Sequence, residues 1–403
     1  MEKLRGVDYL RTKLNLKRPR VLLRYQFYDM KASIPDMGIA TPPELRWWMS
    51  TLGWCASGVD ALADRLSYYR FDEDNFNIGK IYADNNPDIL FDNAILSALI
   101  SSCCFLYIHQ GDEGPVIEVI DGGNATGVID EQTGLLREGY AVLARDDNGN
   151  PVSEAYFEPG RTRFFEGGKT TIITNPCKYP LLVPVIYRPD AARPFGHSRI
   201  SRACMSIVSG AIRTMKRSEI AAEFYSFPQK YVTGLSQDAE VMDKWRASMS
   251  SFMAFTVDDE GNKPTLGQFV TQSQSSHLDQ MRMFASLFAG ETGLTMDDLG
   301  FATDNPSSAE AIKASHERLR LTARKAQRTF GRGFLNAGFL AACLRDDMDY
   351  QRKVFTPTVM EWEPVFEPDS SALGILGDAL IKLNTAVPGY MTEDRIRKLT
   401  GIK

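Results

Sequence analysis

The chain of 403 residues lacks any apolar run long enough to cross a bilayer. Its stretch from Leu181 to Tyr187 is interrupted by Pro184, far short of the roughly 20 residues a membrane helix needs. Met1-Glu2-Lys3-Leu4-Arg5 leads into no apolar segment of a secretory signal, so a cytosolic protein is expected. Histidine is scarce. His109, His197, His277 and His316 stand alone, with no His-Glu-x-x-His pair, which excludes that zinc chemistry. The six cysteines include no Cys-x-x-Cys, which excludes a zinc ribbon, and they are too few for a disulfide framework. Cys103 and Cys104 lie in Ile100-Ser101-Ser102-Cys103-Cys104-Phe105-Leu106 and are expected as small buried residues of a core element. Gly-x-Ser-x-Gly is absent. Gly167-Gly168-Lys169-Thr170 resembles the end of a phosphate-binding loop, but Arg163 stands where that motif needs its first glycine. It separates two strand-like runs and reads as a hairpin turn. No cofactor is expected.

No charge sign dominates either. Lys and Arg total 46, Asp and Glu 51, for a net charge of −5. A protein that clings to DNA over its whole surface is usually basic, so that behaviour is excluded. Hydrophobic residues at 43% and charged residues at 24% are ordinary for a globular chain and exclude disorder, collagen and coiled-coil fibre. The length suits two or three domains.

The first 25 residues are basic: Lys3, Arg5, Arg11, Lys13, Lys17, Arg18, Arg20 and Arg24 face only Glu2 and Asp8. They read as a solvated, partly helical arm or as a contact surface for an acidic partner. Residues 42–70 read as helical, from Pro42-Pro43 through Leu45, Trp48, Met49, Leu52 and Ala56 to Tyr68. Pro87 to Leu99 predicts another helix. From about 104 to 190 the period changes to that of strands. Runs at 105–108, 116–120, 140–144, 161–165, 170–174 and 183–187 are separated by turn clusters. Asn148-Gly149 is a strong hairpin signal. An antiparallel region of about six strands is expected, so the fold class is α+β.

Beyond Pro194-Phe195-Gly196-His197-Ser198, the residues Ile200, Cys204, Ile207, Val208, Ala211, Ile212 and Met215 form one apolar stripe. They predict a helix over 199–226, roughly 40 Å long. Its other face carries Arg202, Arg213, Lys216 and Arg217. Residues 227–272 read as a compact α/β insertion: strands at 230–233 and 252–257 flank a helix at 238–248. A second helix is predicted over 275–290. A loop without basic residues follows, from Glu291 to Asn305. Ser307-Ser308-Ala309-Glu310 fits a capping box, with Ser307 and Glu310 as its partners. It opens a basic helix to about Leu344, with a kink invited at Gly331 and Gly333. The tail from Ser370 reads as two short helices broken at Pro388-Gly389. Asp297-Asp298 is a metal-binding pair as in nucleases or a solvated loop; no third carboxylate stands at motif spacing.

This order of elements resembles the portal (head–tail connector) proteins of tailed double-stranded DNA bacteriophages, particularly the long-tailed siphophage type. The resemblance is sharpest at Pro194-Phe195-Gly196-His197-Ser198-Arg199-Ile200 before a long helix. It is also sharp from Gly293-Leu294 to Gly300 with Asn305-Pro306-Ser307-Ser308-Ala309-Glu310-Ala311-Ile312, and in the long basic helix that follows. It implies a wing over 1–198, completed by the long helix and return strand of 308–369. The stem helices would be 199–226 and 273–293, the clip 227–272, the tunnel loop 294–307, and a short crown 370–403. It further implies a non-enzymatic ring, dodecameric in the family, with duplex DNA passing through it. Thr295, Met296, Asp297, Asp298, Asp304 and Asn305 would belong to the tunnel loop. Arg213, Lys216 and Arg217 would meet DNA phosphates or form inter-subunit salt bridges. The implied partners are the terminase large subunit, a head-completion adaptor, and the major capsid and scaffold proteins. The implied location is the capsid vertex of a virion made in the host cytoplasm. Another phage head protein, or a metal-dependent nuclease using Asp297 and Asp298, is the alternative.

Overall fold

A computed structural model describes residues 4–36, 41, 43–226, 230–233, 265–268, 274–301, 314–366, 370–393 and 395–396. The chain divides into two compact units. One comprises Met1–Ala32, Gly53–Met205 and Ala289–Lys403, the other Ser33–Leu52 and Ser206–Phe288.

In the larger unit the N-terminal basic segment is the docked helix α1 (Val7–Tyr28), not a solvated arm. Leu10, Leu14, Val21 and Phe27 are buried along it. Leu10 and Leu14 pack with Tyr140, Val142 and Tyr156. Its start is held by the buried Glu138, whose carboxylate accepts from the amides of Arg5 (2.9 Å) and Gly6 (3.0 Å) and from the Tyr156 hydroxyl. An anion at a helix N-terminus meets free N–H groups and the positive end of the helix dipole. The basic side chains bond inward too. Arg11 pairs with Glu154, Lys13 donates to Gly127 O and Arg24 to Ser101 O. Burial, then neighbouring Lys17, pushes the Lys13 ammonium down to about 8.

The expected helix over 42–70 breaks into three parts. A 3-10 turn covers Pro43–Leu45, α2 covers Trp54–Ala63, and strand β1 covers Tyr68–Asp72. β1 is a strand because it pairs antiparallel with β12 (Val359–Trp362), a partner no local pattern announces. Helices α3 (Ile78–Ala83) and α4 (Pro87–Ser101) follow, the latter as predicted.

The β region is antiparallel, with eight strands among the described residues rather than about six. β2 (Cys103–Gln110) is the centre of a three-stranded sheet between β3 (Pro115–Asp121) and β9 (Leu182–Ile186). β4 (Ala125–Ile129), β5 (Leu136–Arg145), β6 (Pro151–Glu158), β7 (Arg161–Glu166) and β8 (Lys169–Thr174) form a five-stranded meander. Asn148-Gly149 makes the β5–β6 turn, with Gly149 at φ 80°. Gly167 and Gly168, at φ 53° and 78°, make the β7–β8 turn, which confirms a hairpin and not a phosphate loop. Cys103 and Cys104 are buried in β2, and all six cysteines are free and buried.

Helix α5 runs over Arg202–Ser226, α6 over Ser275–Thr292, α7 over Glu317–Arg345 and α8 over Ser370–Ala386. α7 carries Phe330, Phe334 and Phe339 into the core. Gly333 of α7 lets the helix close on β9; a Cβ there would stand 3.2 Å from Pro184 O. The Tyr82 hydroxyl donates to Phe334 O at 2.7 Å. The chain turns after Ala386, so the tail breaks where expected.

In the smaller unit α5 buries Val208 and Ala211 and half-buries Ile207, Ile212 and Met215. Gly210 permits close packing on α6, since a Cβ would lie 2.7 Å from the Phe284 ring. Of the insertion 227–272, β10 (Lys230–Thr233) pairs antiparallel with β11 (Thr265–Gln268). The strand expected at 252–257 and the helix at 238–248 lie outside the described residues.

Candidate functional site

The last carbonyl groups of an α-helix have no partners within the helix and carry the negative end of its dipole. At the end of α6 two arginines answer them. Arg199, only 9% exposed, donates from Nη2 to Thr292 O at 2.5 Å and from Nε to Gly58 O at 3.0 Å. Arg318 of α7 donates from Nη1 to Gly290 O. Beside them the Ser201 hydroxyl donates to Glu291 Oε1 at 2.8 Å. Gly293 closes the helix at φ 75°, its amide donating to Ala289 O. A Cβ on Gly293 would press on the Arg318 side chain at 3.3 Å. A left-handed residue is the usual way to end a helix, and glycine adopts it without strain.

Arg199 is placed by the motif before it. Gly196 sits at φ 72°, where a Cβ would lie 2.0 Å from Tyr187 O, so only glycine fits. The His197 amide donates to that same oxygen at 2.9 Å. The His197 ring bonds Asp190 at 2.5 Å and holds that exposed carboxyl below the usual range. The Ser198 hydroxyl donates to Ile100 O and accepts from the Ile200 amide. The motif is therefore a junction whose Ser198, Arg199 and Ile200 are buried.

From Gly293 the loop folds back as a tight corner. Thr295 and Asp298 cap each other: the Thr295 amide donates to the Asp298 carboxylate at 2.8 Å, and the Asp298 amide to the Thr295 hydroxyl at 3.2 Å. A 3-10 turn covers Asp297–Leu299 and ends at Gly300, φ 85°. Leu294 and Leu299 are buried, Met296 is half-buried and Asp297 exposed. The Phe301 ring meets Trp54 edge-on at 6.4 Å. His316, just before α7, bonds Asp298 at 3.2 Å. Partial burial pushes the Asp298 carboxyl up. The Thr295 amide and hydroxyl, with His316, outweigh it and hold the group below its ordinary value. Asp298 is thus a structural carboxylate. Among the described residues no cluster of three or more His, Cys, Asp or Glu could hold a metal ion.

Thr295, Met296, Asp297 and Asp298 therefore share one corner. Asp304, Asn305, Ser307 and Glu310 lie outside the described residues. In the other unit Lys216 pairs within its own chain, with Asp36 at 3.2 Å, and donates to Arg46 O at 3.2 Å. Arg213 and Arg217 are half-buried on the same helix. Arg199 and Arg318 were missed as anchors in the sequence. Only the position of Arg199 in the Gly-His-Ser-Arg run could have flagged it.

No family model matches the chain. It is 24% identical over 399 residues to the portal protein of Mycobacterium phage D29, covering 93% of this chain and 81% of that one. It is likewise 24% identical over 394 residues to the portal protein of Mycobacterium phage L5, covering 92% and 80%. The resemblance to phage portal proteins is borne out. Both relatives bear the name of a structural protein, in line with the expectation of a non-enzymatic chain. The fold is also similar to a chain in the neck of an empty gene transfer agent particle computed with C6 symmetry. That likeness has a TM-score of 0.51 at 14% identity and covers 95% of this chain and 99% of that one. A chain in the neck of the native particle, computed with C12 symmetry, matches with a TM-score of 0.51 at 13% identity over the same shares.

Two outcomes are expected. Arg199→Met removes the guanidinium's bonds to Thr292 O and Gly58 O and costs about 2–4 kcal/mol of stability, measured by denaturant unfolding. Asp298→Asn removes a carboxylate whose folded pKa is depressed. Its stabilisation is fully present above the unfolded value of about 4 and is lost as pH falls through the folded value. The stability gap between Asp298→Asn and the parent is therefore widest near neutral pH and closes below about pH 4.

Proposed function

We propose that the chain is the portal protein of a tailed bacteriophage. Copies close into a ring at one capsid vertex, and double-stranded DNA is packaged and later ejected through the ring. The observation that carries this is the similarity to two phage portal proteins along more than nine-tenths of the chain. The fold likeness to particle-neck chains supports it.

The parts follow as proposals. Residues 1–198 with 308–369 form the wing, α5 and α6 the stem, 227–272 the clip, 294–307 the tunnel loop and 370–403 a short crown. Head-to-tail contacts close only when the rotation per subunit divides a full turn, and twelve subunits fit the family. At its narrowest point a conduit needs weak, sequence-independent contacts, because tight binding through counterion release there would stall the duplex. Asp297 and Asp304 would keep phosphates off the loop. Arg213 and Arg217 would make transient phosphate contacts or bridge to a neighbour. The sequence holds no nucleotide-binding motif, so the energy would come from a terminase docked on the clip, later replaced by a head-completion adaptor. Major capsid and scaffold proteins would surround the wing. The protein would be made in the host bacterial cytoplasm. The nuclease alternative draws no support from Asp298, whose carboxylate serves Thr295 and His316.

The test is electron microscopy with light scattering. Twelve copies of a 45.1 kDa chain give about 540 kDa and a ring with a central hole. A chain that stays monomeric even when co-expressed with its scaffold and capsid proteins contradicts the reading.

A further inference from the structure

We propose that the exposed ridge of α7 is a docking track for the phosphate backbone of duplex DNA, separate from the tunnel loop; the proposal rests on the portal reading for its ligand. Arg324, Lys325, Arg328 and Arg332 are all exposed on this helix. Arg324, Arg328 and Arg332 recur every four residues, about 6 Å of helix rise. A DNA strand advances about 3.4 Å along the duplex axis per nucleotide, so ridge cations and phosphates both recur at intervals of a few ångströms.

A groove runs along each side of the ridge. One lies against β12, with Leu321, Arg324, Arg328, Val359 and Trp362 among its walls. The other lies against the end of β9, with Pro184, Arg188, Lys325, Arg332 and Asn336. Among the described residues neither groove is lined by a carboxylate. Nor does any of the four ridge cations form an ion pair there. Of the carboxylates nearby, Glu317 pairs with Arg320 and reaches Arg324 only through its longer-range charge, and Glu361 pairs with Arg70. Arg188 sits at the second groove in a left-handed conformation, φ 49°, of the strained kind that gathers at binding sites.

A second observation points the same way. Behind Asn336 lies Arg352, whose Nε donates to Asn336 Oδ1 at 2.7 Å. Its Nη1 and Nη2 are buried without a hydrogen-bond partner among the described residues. Burial, then the charge of Arg332, pushes the Arg352 guanidinium down to about 10. Positive charge is thus packed beneath a positive ridge, and a polyanion laid along it relieves both. A repeating phosphate chain matches the regular spacing better than an acidic protein segment does.

The test uses the full chain and a blunt DNA duplex of about 30 base pairs, with binding followed by fluorescence anisotropy against salt. Each lost phosphate contact lowers the slope of log K against log salt by about 0.9. The quadruple variant R324Q/K325Q/R328Q/R332Q is therefore expected to lower it by about 3–4, with rings by microscopy unchanged. The variant R324K/R328K/R332K keeps the charge and should keep the slope. Should the quadruple variant fail to fold, Arg328→Gln alone should lower the slope by about 1. An unchanged slope with intact rings overturns the proposal. An unchanged slope with lost rings also overturns it and makes the ridge a contact between copies. Loss of slope in a parent chain that never forms rings upholds the DNA track and counts against the portal reading instead.

Discussion

The rest of the larger unit depends on how helix α6 ends. Its final carbonyl groups need donors, and two arginines far apart in sequence supply them: Arg199 at Thr292 O and Arg318 at Gly290 O. Arg199 also holds Gly58 O of α2, so one guanidinium joins the start of α5, the end of α6 and α2. Buried hydrogen bonds to a charged donor are individually strong, and a lost one leaves carbonyls stranded. That is why Gly196 and Gly293 stand where they do. The first lets the chain pass Tyr187 O, and the second lets α6 stop against Arg318.

The corner at 294–301 inherits this rigidity. Leu294 and Leu299 anchor it inward, Thr295 and Asp298 cap one another, and His316 ties it to the entry of α7. A loop built this way can present Asp297 in a fixed position while its neighbour Asp298 serves the fold. The two adjacent carboxylates are alike in sequence and different in work. On the portal reading, that division gives a conduit a stiff rim with charge on it, and a stiff rim can guide DNA without gripping it.

The sequence shows the β region well because alternation and turn residues are local signals. Asn148-Gly149 and Gly167-Gly168 both sit in hairpins. It shows α4 and the apolar stripe of α5 for the same reason. It misleads at 42–70, where Leu45, Trp48, Met49 and Leu52 have helical spacing. The structure leaves Trp47 72% and Met49 69% exposed, so no core rewards a helix there. Tyr68–Asp72 becomes a strand only through a partner 291 residues away in sequence. The basic N-terminus looks solvated because its lysines and arginines outnumber Leu10, Leu14 and Val21. Long cationic side chains cover apolar surface with their stems and carry their charge to distant acceptors, as Arg11 does at Glu154. The candidate loop was legible as a segment, but not the roles within it. Asp298 acquires its function from His316, and Arg199 from carbonyl groups that carry no sequence signature.

On the portal reading, the arginine-anchored corner lies at the waist of a DNA-conducting ring. Single-particle reconstruction of the purified ring tests it most directly. The expected result is a closed ring in which residues 294–307 approach the symmetry axis more nearly than any other segment. A ring whose narrowest point is lined by another element, with Asp297 facing outward, contradicts it.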